Sequence, residues 1–295
     1  MKITEVKLFI VGQPHAVGWG SGQAHNRVLV KIYTDEGITG LGEAFHSLED
    51  PIEGAVRKFR RWLLGQDPTR IIYNWQAIYR GMRYPLGTAT LAALSALEQA
   101  LWDIAGKTCG LPVYKMLGGP SRDRIRVYAS PGVWAHDPEL QGLSLPEQAR
   151  AVVARGWTAL KFGPQAVTYA MEIGSWVWRE VPKSPAQELQ ESIELVGAVR
   201  EAVGPDVDLC LDYHGKSFSP ADGMRLARAI EPLFPFFLEE PALTENVAAL
   251  LQVKEQTAIP IAGGERLVHR EATKQVIDQR AVDILQLEPT ACGGI

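Results

Sequence analysis

From about residue 124 onward the chain alternates between short apolar segments and amphipathic ones, and no other feature limits its possible folds so strongly. Apolar runs of strand length occur at residues 125–129, 159–162, 207–211, 236–238, 259–262 and 282–287. Between them, residues 192–202, 222–230, 247–256 and 270–279 carry apolar side chains at helical spacing. Strand–helix units with apolar strands build a parallel sheet, and six in succession predict a barrel or a doubly wound sheet. The widest interval, between Lys161 and Asp212, holds Trp176-Val177-Trp178 and reads as an irregular excursion or lid.

The first third follows a different pattern. Residues 1–11 alternate Ile3, Val6, Leu8 and Ile10 with Lys2, Glu5 and Lys7, and residues 27–34 alternate Val28, Val30 and Ile32 with polar or larger neighbours. Asp35-Glu36-Gly37 supplies a turn before residues 38–43 resume the strand pattern, which predicts an antiparallel meander. Asp50-Pro51 and Asp67-Pro68 each mark a helix start. Residues 88–107 set Leu91, Leu94, Leu97, Leu101 and Ile104 on one helical face, with Gly106 and Gly110 ending the helix. The expected organisation is a small α+β domain over residues 1–123 and a strand–helix domain, barrel or doubly wound, over residues 124–295.

The residues that close the predicted strands carry the chemistry. Asp212, Glu239 and Glu265 each follow an apolar strand, at spacings of 27 and 26 residues, about one strand–helix repeat. In a parallel barrel this phase brings the three side chains together at the C-terminal mouth. Three carboxylates in one site require a counter-charge, and a hard divalent cation such as Mg²⁺ supplies it while leaving positions open for substrate. Acidic caps after strands are common singly, but three in phase favour a metal site.

His214 lies two residues past Asp212 and, if the strand continues, shares its face. It reads equally as a general acid or base, a further metal ligand, or a structural histidine. Lys161 closes the 159–162 strand and is suited to hold a substrate carboxylate or to abstract a proton, with pairing to a neighbouring acid as the plainer alternative. Glu288 extends the row after residues 284–287, where it can orient a histidine, bind substrate, or cap the next turn. Gly263-Gly264 suggests a close backbone approach before Glu265. Gly18-Trp19-Gly20-Ser21-Gly22 lacks the strand–helix context of a dinucleotide loop and suits a specificity flap, and His15, His25 and His46 read as structural.

Composition removes several function classes. Acids outnumber bases 34 to 30, which argues against nucleic acid as a partner. No stretch has the length of a membrane span, and the first residues alternate rather than forming an export signal. Cys109, Cys210 and Cys292 are too scattered for a disulfide framework or zinc motif, so the expected location is the reducing cytoplasm.

The ordered fragments together resemble a known family. They include Gly37-Ile38-Thr39-Gly40-Leu41-Gly42-Glu43, Ala100-Leu101-Trp102-Asp103-Ile104-Ala105-Gly106-Lys107, and Leu111-Pro112-Val113-Tyr114 with Leu117-Gly118-Gly119. The barrel half adds Asp212-Tyr213-His214-Gly215, Leu238-Glu239-Glu240-Pro241, Gly264-Glu265-Arg266-Leu267 and Cys292-Gly293-Gly294-Ile295. In this order they resemble the mandelate racemase/muconate lactonizing enzyme branch of the enolase superfamily, most closely the acid-sugar dehydratases of the galactonate dehydratase type.

The resemblance implies an α/β fold with an α+β cap on a modified (β/α)₇β barrel, and Mg²⁺ held by Asp212, Glu239 and Glu265. It also implies a small-molecule carboxylate substrate, a sugar acid, and a homo-oligomer. The α-proton is removed, the histidine matching His214 protonates the departing 3-hydroxyl, and a 2-keto-3-deoxy acid results. Three departures stand out. Lys161-Phe162-Gly163 lacks the second lysine of the racemase pattern, which favours dehydration over racemisation or cycloisomerisation. Glu288 stands where the family has an aspartate partner to a histidine. That histidine belongs to a seventh barrel strand, and the sequence supplies about six. The expectation is therefore a C-terminally truncated chain whose general base lies beyond residue 295, with a non-catalytic homologue as the alternative.

Overall fold

The computed structural model describes residues 1–12, 26–45, 48–131, 137–164, 184–215 and 219–295. The readings placed on His15, His25 and His46, on the glycine-rich stretch 18–22 and on Trp176-Val177-Trp178 lie outside these residues.

The alternating N-terminal segments form the expected meander. Strands β1 (Ile3–Val11), β2 (Arg27–Thr34) and β3 (Thr39–Ala44) pair antiparallel in sequence order. Val28, Val30 and Ile32 of β2 are fully buried, as the period of two requires. Helices α1 (Glu49–Leu63), α2 (Ile71–Gly81), α3 (Thr88–Cys109) and the short α4 (Val113–Met116) follow. Asp67-Pro68 does not open α2. The Asp67 carboxylate instead accepts hydrogen bonds from the Thr69 amide at 2.9 Å and its hydroxyl at 2.7 Å, an Asx-type turn that delays the helix to Ile71.

α3 is buried along most of its length, including Leu91, Leu94, Leu97, Leu101 and Ile104. Its close approach to β3 depends on two glycines: a Cβ at Gly40 or Gly42 would stand 2.0 Å from the carbonyl oxygen of Ala100 or Ala96. Gly106 lies buried inside the helix rather than ending it, and Gly110 supplies the left-handed C-terminal residue at φ 68°.

In the second half, β4 (Ala159–Phe162), β5 (Asp208–Asp212), β6 (Phe237–Glu239), β7 (Ile261–Gly263) and β8 (Ile284–Leu285) form one parallel sheet in consecutive order. Helices α5 (Leu145–Ala154), α6 (Pro185–Val203), α7 (Pro220–Ile230), α8 (Val247–Lys254) and α9 (Arg270–Asp278) accompany them. Consecutive order is that of a (β/α) barrel; a doubly wound sheet reverses direction partway.

The two sheet faces differ accordingly. Leu160, Phe162, Leu209, Leu211, Leu238 and Ile261 join the core shared with helix residues such as Val196, Leu226 and Leu250. Cys210, Phe237, Ala262 and Ile284 form a separate cluster on the other face. Asp212 and Glu239 share the strand phase of that second cluster, which directs them away from the helices.

The strand expected at residues 125–129 is reduced to a single bridge between Ala129 and Leu160. Below that rung the link passes to the Arg126 side chain, which donates to the Thr158 carbonyl at 2.9 Å and to Asp208 at 2.5 Å. Ile125 and Val127 remain 72% and 59% exposed. β4 occupies the expected residues 159–162, whereas the later strands are shorter than their apolar runs or shifted toward the C-terminus, because hydrophobic patterning extends beyond the hydrogen-bonded ladder.

Residues 289–295 tie the two halves together. The Phe45 amide donates to the Thr290 carbonyl at 3.0 Å, and Gln99 to that of Pro289 at 3.1 Å. Ser95 accepts from the Gly293 amide and Trp75 donates to the Gly293 carbonyl, both at 2.8 Å. Glu98 accepts from the Ile295 amide at 2.9 Å.

Candidate active site

Asp212 and Glu239 are the last residues of β5 and β6 and register partners in the parallel ladder. Both are buried. Lys161 pairs with Cys210 one step lower in the pleat, and its long side chain reaches upward. Its Nζ lies 2.8 Å from Asp212 Oδ2 and 2.7 Å from Glu239 Oε2, with the side chain only 15% exposed. Gln286 donates to the same Glu239 oxygen at 3.0 Å. The Tyr128 ring centroid is 5.8 Å from Lys161 Nζ.

The charges explain the protonation behaviour. Burial would lower the Lys161 pKa, but the Asp212 and Glu239 carboxylates overcome it and hold the lysine well above its usual value as an ammonium. Burial, then repulsion from Asp212, pushes Glu239 up to about 7 despite Lys161. Glu265 is raised by the same two causes. Burial and mutual repulsion thus both favour the neutral acid at Glu239 and Glu265.

Glu265 does not sit on a strand. It lies in the turn two residues past β7, where Gly264 adopts φ 136° and a Cβ would stand 2.7 Å from the Gln286 carbonyl oxygen. Only glycine permits that passage beside the chain after β8.

His214 reaches Asp212 by another route than strand alternation. β5 stops at Asp212, and His214 takes a left-handed conformation at φ 54°. Its amide donates to Asp212 Oδ1 at 3.1 Å, and Nε2 stands 3.3 Å from Asp212 Oδ2. The expected proximity is present, but a turn produces it. Glu288, by contrast, accepts from the Thr290 amide at 2.9 Å and hydroxyl at 2.5 Å, the local turn-capping arrangement.

Two neighbours had no assigned role in the sequence. Glu240, fully buried with φ 44°, accepts from the Thr244 hydroxyl at 2.6 Å. Its Oε2 has no hydrogen-bond partner, with Arg266 Nη1 3.7 Å away. Burial pushes Glu240 up to about 7. Arg266 in turn donates to the His214 carbonyl at 3.0 Å. The doubled acid Glu239-Glu240 before Pro241 was the available signal, since consecutive residues leave a strand end on opposite sides.

Among the described residues, no three His, Cys, Asp or Glu side chains stand together as a ready metal cage. The Lys161 ammonium lies between two of the carboxylates, Asp212 and Glu239. The donor set itself, carboxylate oxygens of the buried Asp212 and Glu239 and the half-buried Glu265, suits a hard divalent cation. Among the described residues, no helix is long and apolar enough to cross a membrane.

The chain matches two family descriptions. Residues 2–118 match the mandelate racemase / muconate lactonizing enzyme N-terminal domain, and residues 144–295 match the enolase C-terminal domain-like family. It is 35% identical to a D-galactonate dehydratase of Ralstonia nicotianae over 269 residues, covering 91% of this chain and 65% of that protein. It is 34% identical to a D-gluconate dehydratase of Thermoproteus tenax, covering 91% and 51% respectively. The chain thus spans about two thirds or less of the length of these relatives.

Among solved structures, an enolase of Agrobacterium radiobacter bound to Na and L-malate superposes with a TM-score of 0.81 at 30% identity, covering 100% of this chain and 69% of that one. The 3,6-anhydro-D-galactonate cycloisomerase of Zobellia galactanivorans gives 0.80 at 27% identity, covering 100% and 74%. Two matched domains in the family's order, and a fold shared across the chain, place this protein in the mandelate racemase / muconate lactonizing enzyme group of the enolase superfamily.

Proposed function

We propose that this chain carries the metal site and acid of a Mg²⁺-dependent sugar-acid dehydratase, a hydro-lyase producing a 2-keto-3-deoxy acid. The single observation that supports this most is the pairing of Lys161 with both Asp212 and Glu239 at the strand ends, with His214 beside Asp212. Asp212, Glu239 and Glu265 would hold the cation. When bound, it supplies electrostatic stabilisation of the negative charge that develops on the substrate carboxylate as the α-proton leaves.

The remaining work falls to side chains. Lys161, kept as an ammonium, acts as an electrostatic partner of the substrate carboxylate rather than as a base. His214, 43% exposed at the rim of the pair, is placed to give a proton to the departing 3-hydroxyl. A general base, which is none of the residues assigned above, takes the proton α to the carboxylate; the C3–O bond breaks as His214 gives its proton to the hydroxyl, water leaves, and the resulting enol tautomerises to the ketone. Gly163 in place of a second lysine favours this course over racemisation or cycloisomerisation. Glu288, bonded to Thr290, is assigned to shaping the turn beside the site. The relatives named as galactonate and gluconate dehydratases support an aldonic acid as substrate.

The test is incubation with Mg²⁺ and a panel of aldonic and aldaric acids, scored for 2-keto acid. Product from at least one acid supports the reading; no product from any acid together with no Mg²⁺ binding by calorimetry rejects it.

A further inference from the structure

We propose that Arg266 is a positioning residue for His214: it clamps the left-handed backbone that sets the imidazole beside Asp212. This rests on the reading of His214 as the acid of the reaction. β5 ends at Asp212, and the chain then turns through φ 54° at His214 and 58° at Gly215. A left-handed conformation is unfavourable for a residue with a Cβ and persists only where its surroundings hold it. Here the peptide that joins His214 to Gly215 is held on both sides. The Gly215 amide donates to the Glu240 carbonyl at 2.9 Å, and the His214 carbonyl accepts from Arg266 Nη1 at 3.0 Å. That plane cannot rotate without breaking both bonds. The first is main chain to main chain and asks nothing of the side chains. The second, a stronger bond because its donor is charged, depends on the residue at 266.

Arg266 is itself anchored. It lies on the turn after β7, beside the buried Leu267, whose amide donates to the Gly264 carbonyl at 3.0 Å. Its Nη1 stands 3.7 Å from Glu240 Oε2 and its Nε 3.9 Å from Glu245 Oε1. Glu240 is fully buried, and its other oxygen accepts the Thr244 hydroxyl at 2.6 Å. A fixed anion therefore holds the cation that grips His214. Gly215 leaves room for the grip, since a Cβ there would stand 2.8 Å from Arg266 Nη1. The support runs from Thr244 through Glu240 and Arg266 to His214. A guanidinium suits the task because its planar fork addresses the carbonyl and two carboxylates at once, whereas a lysine presents a single point charge.

The test compares Arg266→Gln and Arg266→Lys with wild type, with circular dichroism confirming the fold. Without substrate, hydrogen–deuterium exchange read by mass spectrometry over residues 212–215 is expected to quicken several-fold in Arg266→Gln, with residues 159–162 unchanged. In turnover, kcat for 2-keto acid formation should fall roughly tenfold or more while KM stays within about threefold, since a displaced acid weakens chemistry rather than binding. Arg266→Lys keeps one charged donor for the His214 carbonyl and should fall between the two. Unchanged exchange at 212–215 in folded Arg266→Gln overturns the clamp. So does quickening spread over the whole chain, which marks a general loss of stability. An unchanged kcat, with or without a raised KM, overturns the positioning role, as does a lysine variant no better than the glutamine one. If the wild-type chain forms no 2-keto acid, the dehydratase reading is what fails, and exchange at 212–215 alone decides the clamp.

Discussion

Asp212 and Glu239 face one another in register at the ends of adjacent parallel strands, two buried carboxylates held together by a lysine from the strand before them. Neither acid has a reason to be there as a core residue. Replacing Asp212 by Asn removes one formal charge while keeping nearly the same shape. The expected result is a loss of Mg²⁺ affinity exceeding the roughly 10–100-fold typical of outer-shell changes. Calorimetry reads it directly, and an unchanged affinity removes Asp212 from the site.

His214→Asn separates binding from chemistry. The imidazole stands 3.3 Å from Asp212 but is not needed to complete the carboxylate set. Mg²⁺ affinity is expected to stay near wild type while 2-keto acid formation falls by roughly 10²–10⁴, the usual worth of a positioned acid. Dehydration at the wild-type rate would show that another group protonates the leaving hydroxyl.

Gly42→Ala tests the packing that shapes the cap. The added Cβ would lie 2.0 Å from the Ala96 carbonyl oxygen and 3.0 Å from the Ala100 amide nitrogen, both backbone atoms of α3. Strand and helix must separate to admit it, at a cost of about 3 kcal/mol or more, the upper end for overpacking. Urea denaturation measures the difference, and a loss below about 1 kcal/mol would mean that the helix shifts freely.

Glu98 gives the fold a pH dependence independent of the site. Burial raises its pKa above the usual 4.5, outweighing hydrogen bonds from the Ile295 amide and Trp102. Above that value the unfolded chain has released the proton while the folded chain retains it. The Glu98 contribution is therefore full below pH 4.5 and is lost as pH rises through the folded value. The stability difference between wild type and Glu98→Gln should shrink or reverse with rising pH across that window in urea unfolding. A difference that is flat with pH contradicts it.

What the sequence revealed follows from which forces act locally. The meander, α3 and the parallel strands were legible because burial on one face imposes a period on the chain. Asp212 and Glu239 were legible because a charged residue at the end of an apolar strand breaks that pattern at a fixed phase. Pairing of Lys161 with a neighbouring acid was legible as the plainer alternative, but not that it spans both Asp212 and Glu239, since a side chain reaching up to the next pleat leaves no mark in the spacing. His214 came near Asp212 by a left-handed turn, and the Glu240–Arg266 pair that flanks it depends on two such backbone conformations. Residues 125–129 show the converse: apolar alternation was present, but only one rung formed because Arg126 supplies the remaining link.

The hydrogen bond between Trp75 and Gly293 joins positions 218 residues apart, and that of Ser95 with Gly293 spans 198. Closing loops of this size costs entropy before any contact compensates, and such pairings slow folding. Within the cap, Glu98 Oε1 already accepts from Trp102 of the same helix, whereas the Ser95 hydroxyl oxygen and Glu98 Oε2 take the amides of Gly293 and Ile295 from far along the chain. The packing of the cap is thus tied to residues 293–295, and any change there loosens a helix nearly two hundred residues away.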